Sequence, residues 1–290
     1  MKLLPDNYSV EKETENLLGK AVRFCDKSYD EVNFAVLSSR AFVVCTKGGE
    51  DGIGEIYVGE TGGAAQTSNT KLVAGPVQFA KGNVSNPVAL YIKKPVLRVF
   101  FALDGKAKFA DFNVLTNEIS AVKDFEILGV PYDMYKTLHG KYIMATANDG
   151  AHMVELDGTV AKAEADFEIK GYDTAQIATD DNGGYFAFAA KGNDGYILSS
   201  TDGKDWKTVS DKYDLVDGKP SFNRLYRLYY IAYNTADGIK IDISKNCKEF
   251  ETLMQFEKGT DIKNIAFYEW DGIIYYTALL NGKPIYSRLR

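Results

Sequence analysis

One order of elements recurs six times along this chain, and the recurrence limits its fold more than any other feature. Each copy is an apolar strand, a short turn, a second strand rich in Tyr, Phe and Ala, a glycine-containing loop, then a third strand. The clearest copy takes residues 175–179 through Asp180-Asp181-Asn182-Gly183-Gly184 into Tyr185-Phe186-Ala187-Phe188-Ala189, then into 196–199. The others use 33–37, 41–45 and 55–58; 88–92, 96–102 and 108–113; 134–138, 142–147 and 152–155; 222–226, 228–233 and 239–243; and 262–268, 273–279 and 284–289. Most copies add a fourth strand, at 125–128, 166–169, 206–209 and 250–255. The spacing of about 40 to 55 residues is that of four-stranded propeller blades. A single blade cannot bury both faces, so neighbours must stack around an axis.

These observations predict an all-β, six-bladed β-propeller in one domain, residues 20–290. The sixth copy stops after three strands. Its missing outer strand is expected from the N-terminus, with Lys20-Ala21-Val22-Arg23-Phe24-Cys25 the candidate. That closure would remove an open sheet edge, which otherwise pairs with other chains. Residues 1–19 then form an N-terminal arm. Ser9 as cap and Gly19 as stop suit a short helix there. A frayed tail and an assembly arm both fit this segment.

Composition agrees with an all-β reading. Nineteen Tyr and sixteen Phe suit pleated surfaces, and twenty-six Gly suit many tight turns. A net charge of −6 gives no basic footprint for nucleic acid. Cys25, Cys45 and Cys247 are odd in number and widely spaced, so they read as thiols rather than a disulfide framework. With no Cys-x-x-Cys pair, and with His139 and His152 apart, no zinc or other metal site is expected, and no cofactor. The start of the sequence carries no apolar run suited to a signal peptide, and no stretch approaches a membrane span. Synthesis in a bacterial cytoplasm is the expectation, with no membrane partner.

Ser200-Thr201-Asp202-Gly203-Lys204-Asp205-Trp206 resembles the Asp-box, or sialidase-type, repeat, Ser-x-Asp-x-Gly-x-Thr-Trp, which joins the third and fourth strands of a propeller blade. This copy is one residue shorter, with Asp205 where the family has Thr. Asp202 can cap the turn, Gly203 can take positive φ, and Trp206 can pack between blades. A worn copy follows at Ser244, Asn246 and Phe250. The resemblance implies a structural turn away from the catalytic face. Similar turns in propellers of bacteria and their phages also suggest a phage setting.

A site of the sialidase kind would imply an arginine cluster, a Tyr nucleophile with a Glu partner, and an acid Asp. The chain has seven arginines, too few and too scattered for such a cluster, and Arg224 and Arg227 flank Tyr226. These three form the expected ligand face, with packing of an aromatic strand as the plainer reading. Glycosidases need two carboxylates roughly 5 to 10 Å apart. Asp30, Asp133, Asp173 and Asp261 each precede a first strand, which turn chemistry explains. No pair stands out, and no catalytic residue is assigned. The expectation is a non-enzymatic binding or structural module of a virion (tail, baseplate or fibre). Other virion proteins, reached through residues 1–19, or a surface glycan would be its partners. The alternative is a carbohydrate-active propeller, either a hydrolase or lectin-like.

Overall fold

The computed structural model describes residues 2–37, 40–60, 71–136, 142–147, 150–156, 163–216, 219–270 and 273–289. Leu138, His139, Asp271, Gly272 and Arg290 lie outside the described residues. Six antiparallel sheets follow one another along the chain as the blades of a six-bladed β-propeller. Blade one is Glu31–Leu37, Arg40–Lys47, Ile53–Glu60 and Lys71–Lys81. Blade two is Val84–Lys93, Val96–Leu103 and Lys106–Asn113, with a short outer strand Lys123–Asp124; blade three is Val130–Lys136, Tyr142–Ala147, Ala151–Leu156 and Ala163–Ile169. Blade four is Thr174–Thr179, Tyr185–Lys191, Asp194–Ser200 and the short Lys207–Thr208. Blade five is Ser221–Leu225, Leu228–Thr235, Gly238–Ser244 and Glu251–Glu257. Blade six is Ile262–Trp270, Ile273–Leu280 and Lys283–Arg288, and its outer strand is Val22–Arg23.

The ring therefore closes on its N-terminal strand, as the unfinished sixth copy requires. Val22 pairs with Tyr286 and Arg23 with Ile285. The outer strand of blade one, absent from the sequence reading, carries Pro76, and three register shifts interrupt its pairing. Proline lacks a ladder donor and is confined to edges, so this strand reads poorly yet is tolerated on the rim.

Second strands are sandwiched on both faces. Residues 41–46 of blade one are all buried, as are 273–279 of blade six. Aromatic rings fill the wedges between blades: Phe42 meets Phe112 at 6.0 Å between centroids, and Tyr230 meets Phe267 at 5.5 Å. At the closure, Phe34 of blade one stacks on Tyr268 of blade six at 4.5 Å, with Phe24 and Tyr286 beside them.

Beneath that aromatic group lies a buried polar knot. The Glu55 carboxylate, 4% exposed, accepts from Lys27 Nζ at 2.9 Å and from the Tyr29 hydroxyl, which also contacts the Tyr57 hydroxyl at 2.6 Å. Lys27 and Tyr29 belong to the segment linking the closing strand to blade one, and the Tyr29 N–H also donates to Gly282 O of blade six. The knot thus ties the closing segment to both neighbouring blades.

Residues before the closing strand are docked on the ring. Ser9 caps the helix Val10–Gly19, accepting from the Lys12 N–H at 3.3 Å. Leu17, like Leu4 ahead of the helix, is buried against blades five and six. The Glu251 carboxylate accepts the Leu3 and Leu4 N–H groups, and Thr14 Oγ1 accepts the Gln255 N–H at 3.2 Å. These bonds satisfy outward-facing groups of blade five's outer strand.

Candidate functional site

First strands of all six blades face the axis, so their opening residues converge on one end of the central channel. A cavity of about 160 Å³ lies there. Each first strand brings a polar residue near its start: Glu31 and Asn33, Asn86, Asp133, Gln176, Ser221 and Asn223, and Asn264. Bulges interrupt three of these strands at this end, at Ser85/Val88, Pro131/Asp133 and Lys263/Ala266. Asn86 and Asn264 take φ of 51° and 54°, a left-handed conformation that asparagine tolerates. A bulge re-aims side chains, and here it turns polar groups around the channel mouth.

The mouth is cross-braced between blades. Glu31 Oε2 accepts from Thr46 Oγ1 at 3.1 Å and from the Asn86 N–H of blade two. Asn33 Oδ1 accepts the Ala89 N–H at 3.1 Å, and Asn264 Nδ2 donates to Asp30 O at 2.6 Å. Lys219, just ahead of blade five, reaches past blade four to blade three. Its ammonium donates to Tyr132 O and lies 4.3 Å from that ring's centroid.

Asp133 stands beside this lysine. Burial pushes its carboxyl above the ordinary carboxylate range, against the opposing pull of Lys219, the Met134 N–H and the Gln176 amide. A carboxyl raised in this way can hold a proton that it later gives up. Glu31, a second carboxylate, lines the same cavity from blade one. Among the described residues no arginine lines the cavity, and no group of three or more His, Cys, Asp or Glu side chains could hold a metal ion.

The expected ligand face and the Asp-box turns lie elsewhere. Tyr226 and Arg227 form the two-residue turn between the first and second strands of blade five, both at positive φ, at the end opposite the mouth. Tyr226 donates to Glu269 Oε1 at 2.7 Å. Arg224 pairs with Asp181 at 2.6 Å and stacks 5.4 Å from the Tyr229 centroid. Both Asp-box turns join third to fourth strands, also at that far end. Ser200 Oγ accepts the Gly203 N–H at 2.9 Å, Asp202 Oδ1 accepts the Lys204 and Asp205 N–H groups at 2.9 and 3.0 Å, and Trp206 Nε1 donates to Gly203 O at 3.0 Å. The worn copy keeps the skeleton: Ser244 Oγ accepts from Cys247 at 3.0 Å, and Asn246 Oδ1 from Lys248 and Glu249 at 2.9 and 3.1 Å, with Phe250 partly buried beside them. Cys247, at φ 58°, replaces the glycine.

Of the four aspartates ahead of first strands, Asp30 and Asp173 do turn chemistry, each accepting a glycine N–H (Gly48 and Gly192) at 2.9 Å. Asp133 differs because the bulge carries it into the channel wall. Glu31, Gln176 and Lys219 were not singled out. Their signal was positional: polar residues alternating with apolar ones where the chain enters each inner strand.

No family model matches the chain. No curated protein matches it either. Solved structures do. A sialidase from Trypanosoma rangeli in complex with the inhibitor DANA aligns with a TM-score of 0.64 at 12% identity, over 92% of this chain and 57% of that enzyme. The fold is that of the sialidase-type propeller. The chain spans little more than half the length of that sialidase. The protein YjhT aligns at 0.55 and 11% identity, over 90% of this chain and 94% of its own. A GH43_1 enzyme from Xanthomonas citri complexed with xylotriose aligns at 0.54 and 10% identity, over 96% of this chain and 93% of its own.

These matches correct two expectations. The reading as a non-enzymatic virion component gives way, because the sialidase and the GH43_1 protein sharing the fold are carbohydrate-active enzymes. The phage association gains nothing from them. Turn chemistry was assigned to every aspartate ahead of a first strand, and Asp133 departs from it because burial raises its carboxyl in the channel wall.

Proposed function

We propose that the channel mouth binds and hydrolyses a glycoside at a single, uncharged sugar unit, with Asp133 as the general acid and Glu31 as its carboxylate partner. One observation carries this reading: a carboxyl raised by burial and a second carboxylate face one cavity from different blades. Pairs of carboxyls set apart by their surroundings divide acid and base roles in glycoside hydrolysis. The cavity, about 160 Å³, is below the roughly 300–1,000 Å³ of sites that enclose larger ligands. That favours one ring, such as a terminal residue. Lys219 is the lone cation lining it among the described residues, and its ammonium is already engaged, which argues against a carboxylated sugar such as a sialic acid.

The test is a panel of aryl pentosides, hexosides and a sialoside, assayed with the protein and with its Asp133→Asn and Glu31→Gln variants. A neutral glycoside should be cleaved, and Asp133→Asn should slow it by about 10²–10⁴-fold, the usual contribution of a general acid. Binding without cleavage would reduce the reading to a lectin-like one. A folded protein that neither cleaves nor binds any member would sink it.

A further inference from the structure

Two polar atoms at the back of the mouth have no hydrogen-bonding partner among the described residues: Gln176 Oε1 and Thr277 Oγ1. Their residues are 4% and 1% exposed, and both line the cavity, from blades four and six. Thr277 is unusual there. It belongs to a second strand, and such residues are normally screened from the channel by the first strand. The bulge between Lys263 and Ala266 interrupts that screen, and Thr277 pairs opposite Ala266 at its edge. Gln176 is fixed differently. Its amide hydrogen bonds to the Asp133 carboxyl, which an amide does through its NH₂, so the carbonyl oxygen is left over.

Buried polar atoms are almost always satisfied, and orphans in one cavity point to what fills it. A carbonyl oxygen only accepts, whereas a threonine hydroxyl donates or accepts. A ring hydroxyl, itself donor and acceptor, complements both.

Resting on the mouth as a sugar site, we propose that Gln176 and Thr277 form a hydroxyl-reading subsite that selects sugars bearing free hydroxyls at the buried edge of the ring. A sugar lacking the hydroxyl that meets Thr277, or carrying a substituent there, would be rejected.

The experiment uses ligand-observed NMR titrations of the methyl glycosides of glucose, galactose, mannose and xylose, then monodeoxy analogues of the tightest binder. Thr277→Val keeps the shape and removes the hydroxyl, so it should weaken binding by roughly 3- to 10-fold, the range for one neutral hydrogen bond. Thermal stability should stay level or rise, because an orphaned hydroxyl is lost. Thr277→Ser should restore binding to within about twofold by keeping the hydroxyl. One deoxy analogue should lose a similar factor against the unmodified protein and nothing further against the valine variant. If the valine variant binds every glycoside as the unmodified protein does, the subsite is overturned and water satisfies these atoms, while the sugar reading stands. If no glycoside binds the folded protein, subsite and sugar reading fall together.

Discussion

Replacing Glu55 by glutamine asks how far closure of the ring depends on one buried carboxylate. The side chain is 5% exposed and accepts from Lys27 and Tyr29, while the Lys27 side chain is 57% exposed. Glutamine keeps the shape and one acceptor oxygen but not the charge. For Tyr29 the bond falls from about 1.5–3 kcal/mol, typical of a charged acceptor, to about 0.5–1.5 kcal/mol for a neutral one. The Lys27 pair is screened by solvent on one side, so it adds about 0–1 kcal/mol. The loss is therefore about 1–2.5 kcal/mol. An unfolding entropy of about 2.1 cal/mol/K per residue makes this a fall in Tm of about 2–4 °C for a domain of this size. Glu55→Ala also removes the remaining acceptor and leaves a buried gap, with the Tyr57 hydroxyl the one partner left to Tyr29, and should lower Tm by about 5–7 °C. Lys27→Met should cost under about 1 kcal/mol. Scanning calorimetry on the three variants decides the matter. If Lys27→Met proves as costly as Glu55→Gln, the exposed ion pair rather than the buried phenol bond holds the closure, and the reasoning fails.

Three further outcomes follow from the geometry. The N–H groups of Asp205 and Lys204, then the Ser200 hydroxyl, draw the Asp202 carboxyl down to about 2; its stabilisation is present above the ordinary 3.8 and lost as pH falls toward 2, so Asp202→Asn should flatten the urea midpoint's dependence on pH in that window, and an unchanged slope refutes this. Gly238, at φ 128°, would place a Cβ 2.0 Å from Phe256 O, whereas Gly105, at φ 74°, has open space; Gly105→Ala should cost about 1 kcal/mol and Gly238→Ala at least about 3 kcal/mol in chemical denaturation, and equal costs would show that backbone strain alone matters. Lys219→Met removes the cation that opposes burial at Asp133, so the Asp133 carboxyl should titrate at still higher pH by carbon-detected NMR; no upward movement would separate the two groups.

Blade architecture was legible because its signals are local. Alternating strands, glycine turns and wholly apolar second strands each report on a few neighbouring residues. The outer strand of blade one was not, since Pro76 and its register shifts erase the period. Cys247 shows the same limit at one residue: it stands at the left-handed position where the motif wants glycine, and only the bonds of Ser244 and Asn246 reveal the shared turn. The channel mouth was least legible. Glu31, Asp133 and Gln176 lie far apart in sequence and meet only because six strand openings converge. A bulge, which no residue type announces, decides whether an aspartate caps a turn or faces the axis.

The pairing of Val22 with Tyr286 has a consequence for biogenesis. A ribosome releases the first of these residues long before the second, so blade six cannot be completed until almost all the described chain has emerged. Until then the nascent protein carries an unpaired strand edge, the form most prone to pair with another copy. Rapid translation through the last blade, or a chaperone that shields the waiting edge, should therefore raise the yield of folded protein.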